Sequence, residues 1–282
     1  MLHLLDDWQE WNASDSRPQP QQIETLPGGL TNQSFILHLE RGDYVLRVEA
    51  GNSDELDINR NSEYLVHQQA ALIGLVPRII YRSCKDDKYW IREYLPGSVL
   101  KSEDLTDETL LTMVDMLKKL HQLDADERIP SISVKAKAER YILPIRQLAN
   151  GMLPESLETL LAELQQCLAK APDNKRCVCH MDPTLGNWIK TARGLQLVDW
   201  EYAGVGHPLW DLAAIYQDAR LNDHQQKLML NHYFSGEGWS RDDWNYAKAQ
   251  MNYLAALWYA AQGIWNLREL ETYLLSLKAV NL

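Results

Sequence analysis

The hydrophobic pattern of this chain shifts at Pro96-Gly97 from mainly strand-like to mainly helical, and that shift limits the architectures open to it. Before the junction the pattern is that of strands. Phe35, Leu37 and Leu39 alternate with Ile36, His38 and Glu40, Arg41-Gly42-Asp43 reads as a turn, and Tyr44 to Val48 predicts a second strand. Residues 54–73 take helical spacing, and Ile79-Ile80-Tyr81 and Tyr89-Trp90-Ile91 predict two more strands. Residues 14–22 read as a loop after a short N-terminal helix. Beyond the junction Leu105 to Leu123 is an amphipathic helix, with Thr106 placed to cap it. Helices follow over 136–150 and 154–171, and short strands over Cys177–Cys179, Trp188–Lys190 and Leu195–Asp199. The rest is helical after Pro208. The expectation is an α+β chain: a small β-rich section over 1–95, a larger, mainly helical section over 96–282, and a ligand cleft between them.

With 282 residues and 45% hydrophobic side chains, the chain can bury a sizeable core without disulfide or metal staples. The formal charge of −11 argues against a nucleic-acid partner. It suits a cationic substrate or Mg²⁺, and equally it suits simple solubility. No apolar run reaches the roughly 18 residues of a membrane span, and the N-terminus lacks the basic region of a signal peptide. A cytoplasmic monomer or homodimer is therefore expected, with no membrane partner. Cys84, Cys167, Cys177 and Cys179 contain no CxxC pair. Cys177-x-Cys179 is too short for an ordinary zinc half-site, so the cysteines read as buried reduced thiols.

The chemistry is concentrated in Cys179-His180-Met181-Asp182-Pro183-Thr184-Leu185-Gly186-Asn187, which contains H-x-D-x-x-x-x-N. Twelve residues after Asn187, at the end of an apolar run, stands Asp199 of Leu197-Val198-Asp199-Trp200-Glu201. Phosphoryl transfer needs this set. One carboxylate orients the attacking hydroxyl, and an amide with a second carboxylate holds Mg²⁺ against the phosphates. The short loop from Asp182 to Asn187 lets both side chains face one point, and the strand-turn-strand that follows returns Asp199 to it.

With these motifs the chain resembles the aminoglycoside phosphotransferase/choline kinase superfamily from about Leu26 to about Gln262, most specifically over 179–212. The resemblance implies a protein-kinase-like two-lobe fold with ATP and Mg²⁺ in the interlobe cleft. It makes Asp182 the catalytic base, His180 the brace of the catalytic loop, and Asn187 and Asp199 the Mg²⁺ ligands. Glu201 is then placed to help a second metal or to face a cationic substrate. The Pro27-Gly28-Gly29-Leu30-Thr31-Asn32-Gln33-Ser34 stretch is similar to the family's phosphate loop, with Gly29, Thr31 and Asn32 as nucleotide candidates. Arg47 stands where protein kinases carry lysine, with Glu63 as its helical partner. Its planar fork can still grip phosphate oxygens. Glu93, Tyr94 and Leu95 match the hinge that takes adenine by backbone. Asp211 matches the aspartate that tethers the catalytic loop, and His121 is expected to bond buried backbone.

Late aromatics, among them Tyr216, Trp258 and Trp265, suit a cationic acceptor as well as they suit a core. The leading expectation is an ATP-dependent kinase for a primary hydroxyl of a cationic metabolite, thiamine or choline in type. An aminoglycoside or macrolide phosphotransferase stays open, with Asp218, Asp223, Glu237, Asp242 and Asp243 as its acids. So does a kinase-like pseudoenzyme that binds a nucleotide without turnover.

Overall fold

The computed structural model describes residues 2–26, 32–49, 57–83, 89–169, 172, 175–235 and 239–281. Strands β1 (Ile23–Leu26), β2 (Gln33–Leu39), β3 (Gly42–Val48), β4 (Ile79–Arg82) and β5 (Tyr89–Glu93) form one antiparallel sheet in the order β1-β2-β3-β5-β4. The period of two sorts its faces. Leu37, Leu39, Leu46, Tyr89 and Ile91 pack under Leu4 and Leu5 of an N-terminal 3-10 segment (Leu2–Glu10) and Trp11 just after it. Two tyrosine hydroxyls, of Tyr81 and Tyr89, both donate to Asp7 across that cap at 3.1 Å. The opposite face carries Arg47 and Trp90, paired across β3 and β5, and it faces the rest of the chain.

Helix α1 (Arg60–Leu72) lies against that face. The helical spacing predicted it from residue 54, but it starts later. Asn59 is the cap, its side chain accepting from the Asn61 and Ser62 N–H groups, and Asp57 is held at φ 57°, where no α-helix runs. Residues 54–56 lie outside the described part.

The chain leaves the sheet through Pro96 and changes partners at once. Gly97 opens β6 (Gly97–Val99), which pairs with β8 (Trp188–Thr191), itself paired with β9 (Gly194–Leu197). A Cβ at Gly97 would stand 2.5 Å from the Lys190 carbonyl oxygen, so only glycine permits this crossing. Helix α2 (Asp107–His121) is capped by Thr106 as expected. It is followed by α3 (Val134–Leu148) and α4 (Glu155–Cys167), close to their predicted spans.

A second ribbon pairs β7 (Cys177–Cys179) with β10 (Gly204–Gly206). Helices α5 (Pro208–Asp218), α6 (Asp223–Tyr233), α7 (Arg241–Ala261) and α8 (Leu267–Asn281) complete the larger part. Leu117, Leu161, Trp188, Trp200, Trp210 and Leu257 sit in its core. Among the described residues no helix is long and apolar enough to cross a membrane.

Candidate active site

The H-x-D-x-x-x-x-N segment forms a braced loop. Strand β7 delivers it, and buried Asp211 on α5 receives it. One Asp211 oxygen accepts the His180 N–H at 2.8 Å and the other accepts the Met181 N–H at 2.7 Å. Those two bonds turn the chain at Met181, whose φ of 72° lies in the left-handed region. The His180 ring is fully buried. One ring nitrogen meets the Val198 carbonyl at 3.0 Å and the other accepts the Asp182 N–H at 3.3 Å. The ring thus ties the loop to the backbone that leads into Asp199. His121 departs from expectation. It bonds two side chains rather than backbone, Asp211 at 3.0 Å and the Tyr233 hydroxyl at 2.7 Å.

Asn187 closes the loop. Its amide nitrogen donates to the Asp182 carbonyl at 2.8 Å and to Asp182 Oδ2 at 2.9 Å. That leaves Asp182 Oδ1 and the Asn187 amide oxygen for other partners. The loop is held from beneath by Asp218, which accepts the Leu185 N–H at 2.7 Å. Strand β9 returns the chain but stops at Leu197 and not at Asp199 as predicted. Asp199 sits at φ 65°, which no strand tolerates, and this kink turns its carboxylate toward Asp182.

From the sheet side an arginine–carboxylate cluster meets these groups. Arg47 pairs with Glu63 and reaches Asp199 at 3.3 Å and Glu201 at 3.4 Å, with its guanidinium 4.8 Å from the Trp90 ring centroid. Arg60 binds the other Glu63 oxygen at 2.8 Å and approaches Glu201 at 3.6 Å. Asn32 joins the two halves, donating to Glu201 and accepting from Arg60, both at 2.9 Å. These neighbours hold buried Glu63 below the usual carboxylate range, the coulombic pull of Arg47 and Arg60 outweighing the cost of burial. The other acids are not so matched. Burial, then the charge of Asp199, pushes Asp182 up to about 8 and Glu201 up to about 7.

Asp182, Asn187, Asp199 and Glu201 line one cavity of about 620 Å³. The rest of its wall comes from α3, α5 and α7 and includes Lys137, Tyr141, Asp218, Trp258 and Tyr259. Trp258 Nε1 donates to the Tyr202 hydroxyl at 2.9 Å, which fixes the indole plane against the cavity. Two of the expected aromatics are not on this wall. Tyr216 turns to Trp244, 5.6 Å away edge to face, and Trp265 stacks behind Tyr259 at 5.2 Å.

At the hinge, the Glu93 N–H is spent on the Arg78 carbonyl and the Tyr94 N–H on the Asp43 carbonyl, while the Glu93 carbonyl accepts from Arg92. Leu95 follows at the exit from the sheet. Gly29 and Thr31 lie outside the described residues.

Sequence reasoning missed Arg60 as a second counter-charge, although its i,i+3 relation to Glu63 was visible. Asp218, named from the sequence only among the acids of the antibiotic alternative, lies two helical turns beyond Asp211 on the same face of α5. Lys137 and Tyr141 carried no signal, because only the packing of α3 brings them to the wall. Of the acids named for the antibiotic alternative, only Asp218 lines the cavity. Asp223, Asp242 and Asp243 lie in the first turns of α6 and α7, and Glu237 lies outside the described residues.

Comparison with known proteins matches residues 22–271 to the family model APH, the phosphotransferase enzyme family. Protein LicA of Haemophilus influenzae is 26% identical over 208 residues, which is 73% of this chain but only 61% of that protein. Thiamine kinase of Escherichia coli K12 is 25% identical over 217 residues, covering 77% of this chain and 72% of the relative. Among solved structures, a choline/ethanolamine kinase family protein from Mesorhizobium loti superposes with a TM-score of 0.72 at 24% identity, over 99% of this chain and 94% of the other. Choline kinase LicA from Streptococcus pneumoniae gives 0.73 at 21% identity, over 91% and 93%. At these identities the structures speak for the fold. It is the protein-kinase-like arrangement of a small antiparallel sheet over a helical lobe.

Proposed function

Because the chain belongs to the phosphotransferase enzyme family, we propose that it moves the γ-phosphoryl group of ATP to a primary hydroxyl of a cationic metabolite of the thiamine or choline type. One observation carries this reading. Asp182 and Asn187, bonded to each other, share with Asp199 a cavity that a fixed indole and the Asp218 carboxylate also line.

The donor set fits Mg²⁺. The Asn187 amide and the carboxylates are hard oxygen ligands, and crowding of Asp182, Asp199 and Glu201 leaves negative charge that a divalent ion would offset. Asn187 and Asp199 would hold it, with Glu201 alongside, and it would neutralise charge on the transferring phosphate. Asp182 Oδ1 takes the hydroxyl proton while Asn187 fixes the other oxygen. Its raised proton affinity suits that task. Arg47, anchored by Glu63, is the cation of the sheet lobe closest to Asp199 and offers its charge to the phosphates. With the Glu93 and Tyr94 N–H groups already paired, the Leu95 N–H is the hinge donor offered to the adenine edge. On the acceptor side the Trp258 face and Asp218 attract a cation. In-line positioning and charge neutralisation then supply the acceleration.

A coupled ADP-release screen tests the proposal, with thiamine, choline, ethanolamine, amino sugars and aminoglycosides as acceptors. A small cationic alcohol should give the highest kcat/KM. Turnover confined to aminoglycosides would move the chain to the antibiotic reading. A failure to release ADP with every acceptor, despite nucleotide binding, would make it the nucleotide-binding pseudoenzyme.

A further inference from the structure

Behind the catalytic loop, on the side away from the cavity, the fold gathers three soft donors. Cys177 and Cys179 are two apart on β7 and so present their side chains to the same face. Their sulfurs are 3.6 Å apart. A ring nitrogen of His121, from the end of α2, completes a cluster in which all three donor atoms lie within 4.8 Å of one another. From these contacts we propose a metal site for Zn²⁺ or a similar thiophilic divalent ion, held by Cys177, Cys179 and His121.

Three features of the surroundings support it. Tetrahedral Zn²⁺ with about 2.3 Å bonds to sulfur sets its thiolates about 3.8 Å apart, close to the separation already present. The second nitrogen of His121 faces the Asp211 carboxylate at 3.0 Å, which fixes the tautomer and leaves the Nδ1 lone pair as the ligand. The Tyr233 hydroxyl, 2.7 Å from Nδ1, is the group to be displaced and stands ready as a fourth oxygen donor, a place water can also take. The sequence spacing alone offered too short a pair for zinc; the third ligand arrives from 56 residues upstream, through the packing of α2 on β7. Binding releases two thiol protons to solvent and needs no oxidant.

Occupancy acts on the loop through Asp211. The metal draws charge from the imidazole and strengthens its N–H bond to the carboxylate that also holds the His180 and Met181 amides. The role is one of bracing, and it holds whether or not the phosphotransfer reading does.

The test uses the full chain with Cys84→Ser and Cys167→Ser, so that only the paired thiols remain, reduced and titrated with Co²⁺ alone and, separately, produced in Zn²⁺-supplemented medium. The expected result is one equivalent of metal, tetrahedral Co²⁺ ligand-field bands with sulfur charge-transfer absorption, and a higher Tm when loaded. Adding His121→Asn should weaken binding at least tenfold, and Cys177→Ala should abolish the charge-transfer bands. Octahedral Co²⁺ spectra, no bound metal by either route, or bands that survive Cys177→Ala would each overturn the proposal. Loss of nucleotide turnover with metal binding intact would count against the phosphotransfer reading alone.

Discussion

On the proposed reading a single oxygen of Asp182 takes the hydroxyl proton. Its Oδ2 accepts from Asn187, which leaves Oδ1 for the acceptor. Asp182→Asn keeps the shape and removes the proton acceptor. Turnover should fall about 10²–10⁴-fold with an unchanged circular-dichroism spectrum. Near-wild-type kcat in that variant would remove Asp182 from its role. His67 makes a different kind of statement. It lies buried under Trp90 with a ring nitrogen on the Pro77 carbonyl at 2.7 Å, and burial pushes its pKa from 6.5 down to about 4. Between those values the unfolded chain binds the proton and the folded chain does not. Its contribution is therefore complete above about pH 6.5 and is lost as pH falls toward 4. Urea unfolding at pH 7.5 and pH 5 should show wild type losing about 2 kcal/mol more than His67→Gln over that interval. Parallel losses in the two proteins would refute the assignment.

At the scale of elements, α5 does more than fill the core. Its first turn carries Asp211, which sets the backbone of the catalytic loop, and its last carries Asp218, which caps the turn bearing Asn187. One rigid helix thus fixes both ends of the loop. Asp211→Asn trades a charged acceptor for an amide that must point an N–H at a donor. It should cost roughly 2–4 kcal/mol and lower kcat while leaving the KM for ATP nearly unchanged. Calorimetry with steady-state kinetics checks both, and an unshifted Tm would show that the loop needs no such tether. Most element types were legible in the sequence because period and caps are local: Thr106 at the head of α2 is a plain example, whereas the three-residue strands β6 and β10 are too short to show a period. Two boundaries were not. Asn59 starts α1 later than the spacing suggests, and Asp199 ends the strand run early, because a left-handed φ leaves no trace in hydropathy.

Across the whole molecule, the sheet lobe and helical lobe meet through charge. Arg47 lies on β3 yet binds Glu63 on α1 and approaches Asp199 and Glu201 from the catalytic segment. Its removal strands buried carboxylates. Arg47→Ala should destabilise the protein by about 3–5 kcal/mol and raise the KM for ATP more than that for the acceptor. Arg47→Lys should recover part of the stability but less of the affinity, since an ammonium cannot bind in two places at once. An ATP KM unaffected by Arg47→Ala would confine the arginine to a structural role.

The passage from a strand-rich part to a mainly helical one, and Asp182, Asn187, Asp199 and Asp211 as candidates, were read from the residue order alone. Hydrophobic period and short spaced polar motifs are encoded between near neighbours. Which aromatics line the cavity, why Tyr216 and Trp265 do not, how Arg60 joins Arg47, and how His121 comes to stand beside two cysteines were decided only in three dimensions. Those contacts depend on helix rotation and on the crossing of distant elements. Close packing sets these for the whole core at once, and no stretch of sequence carries them by itself.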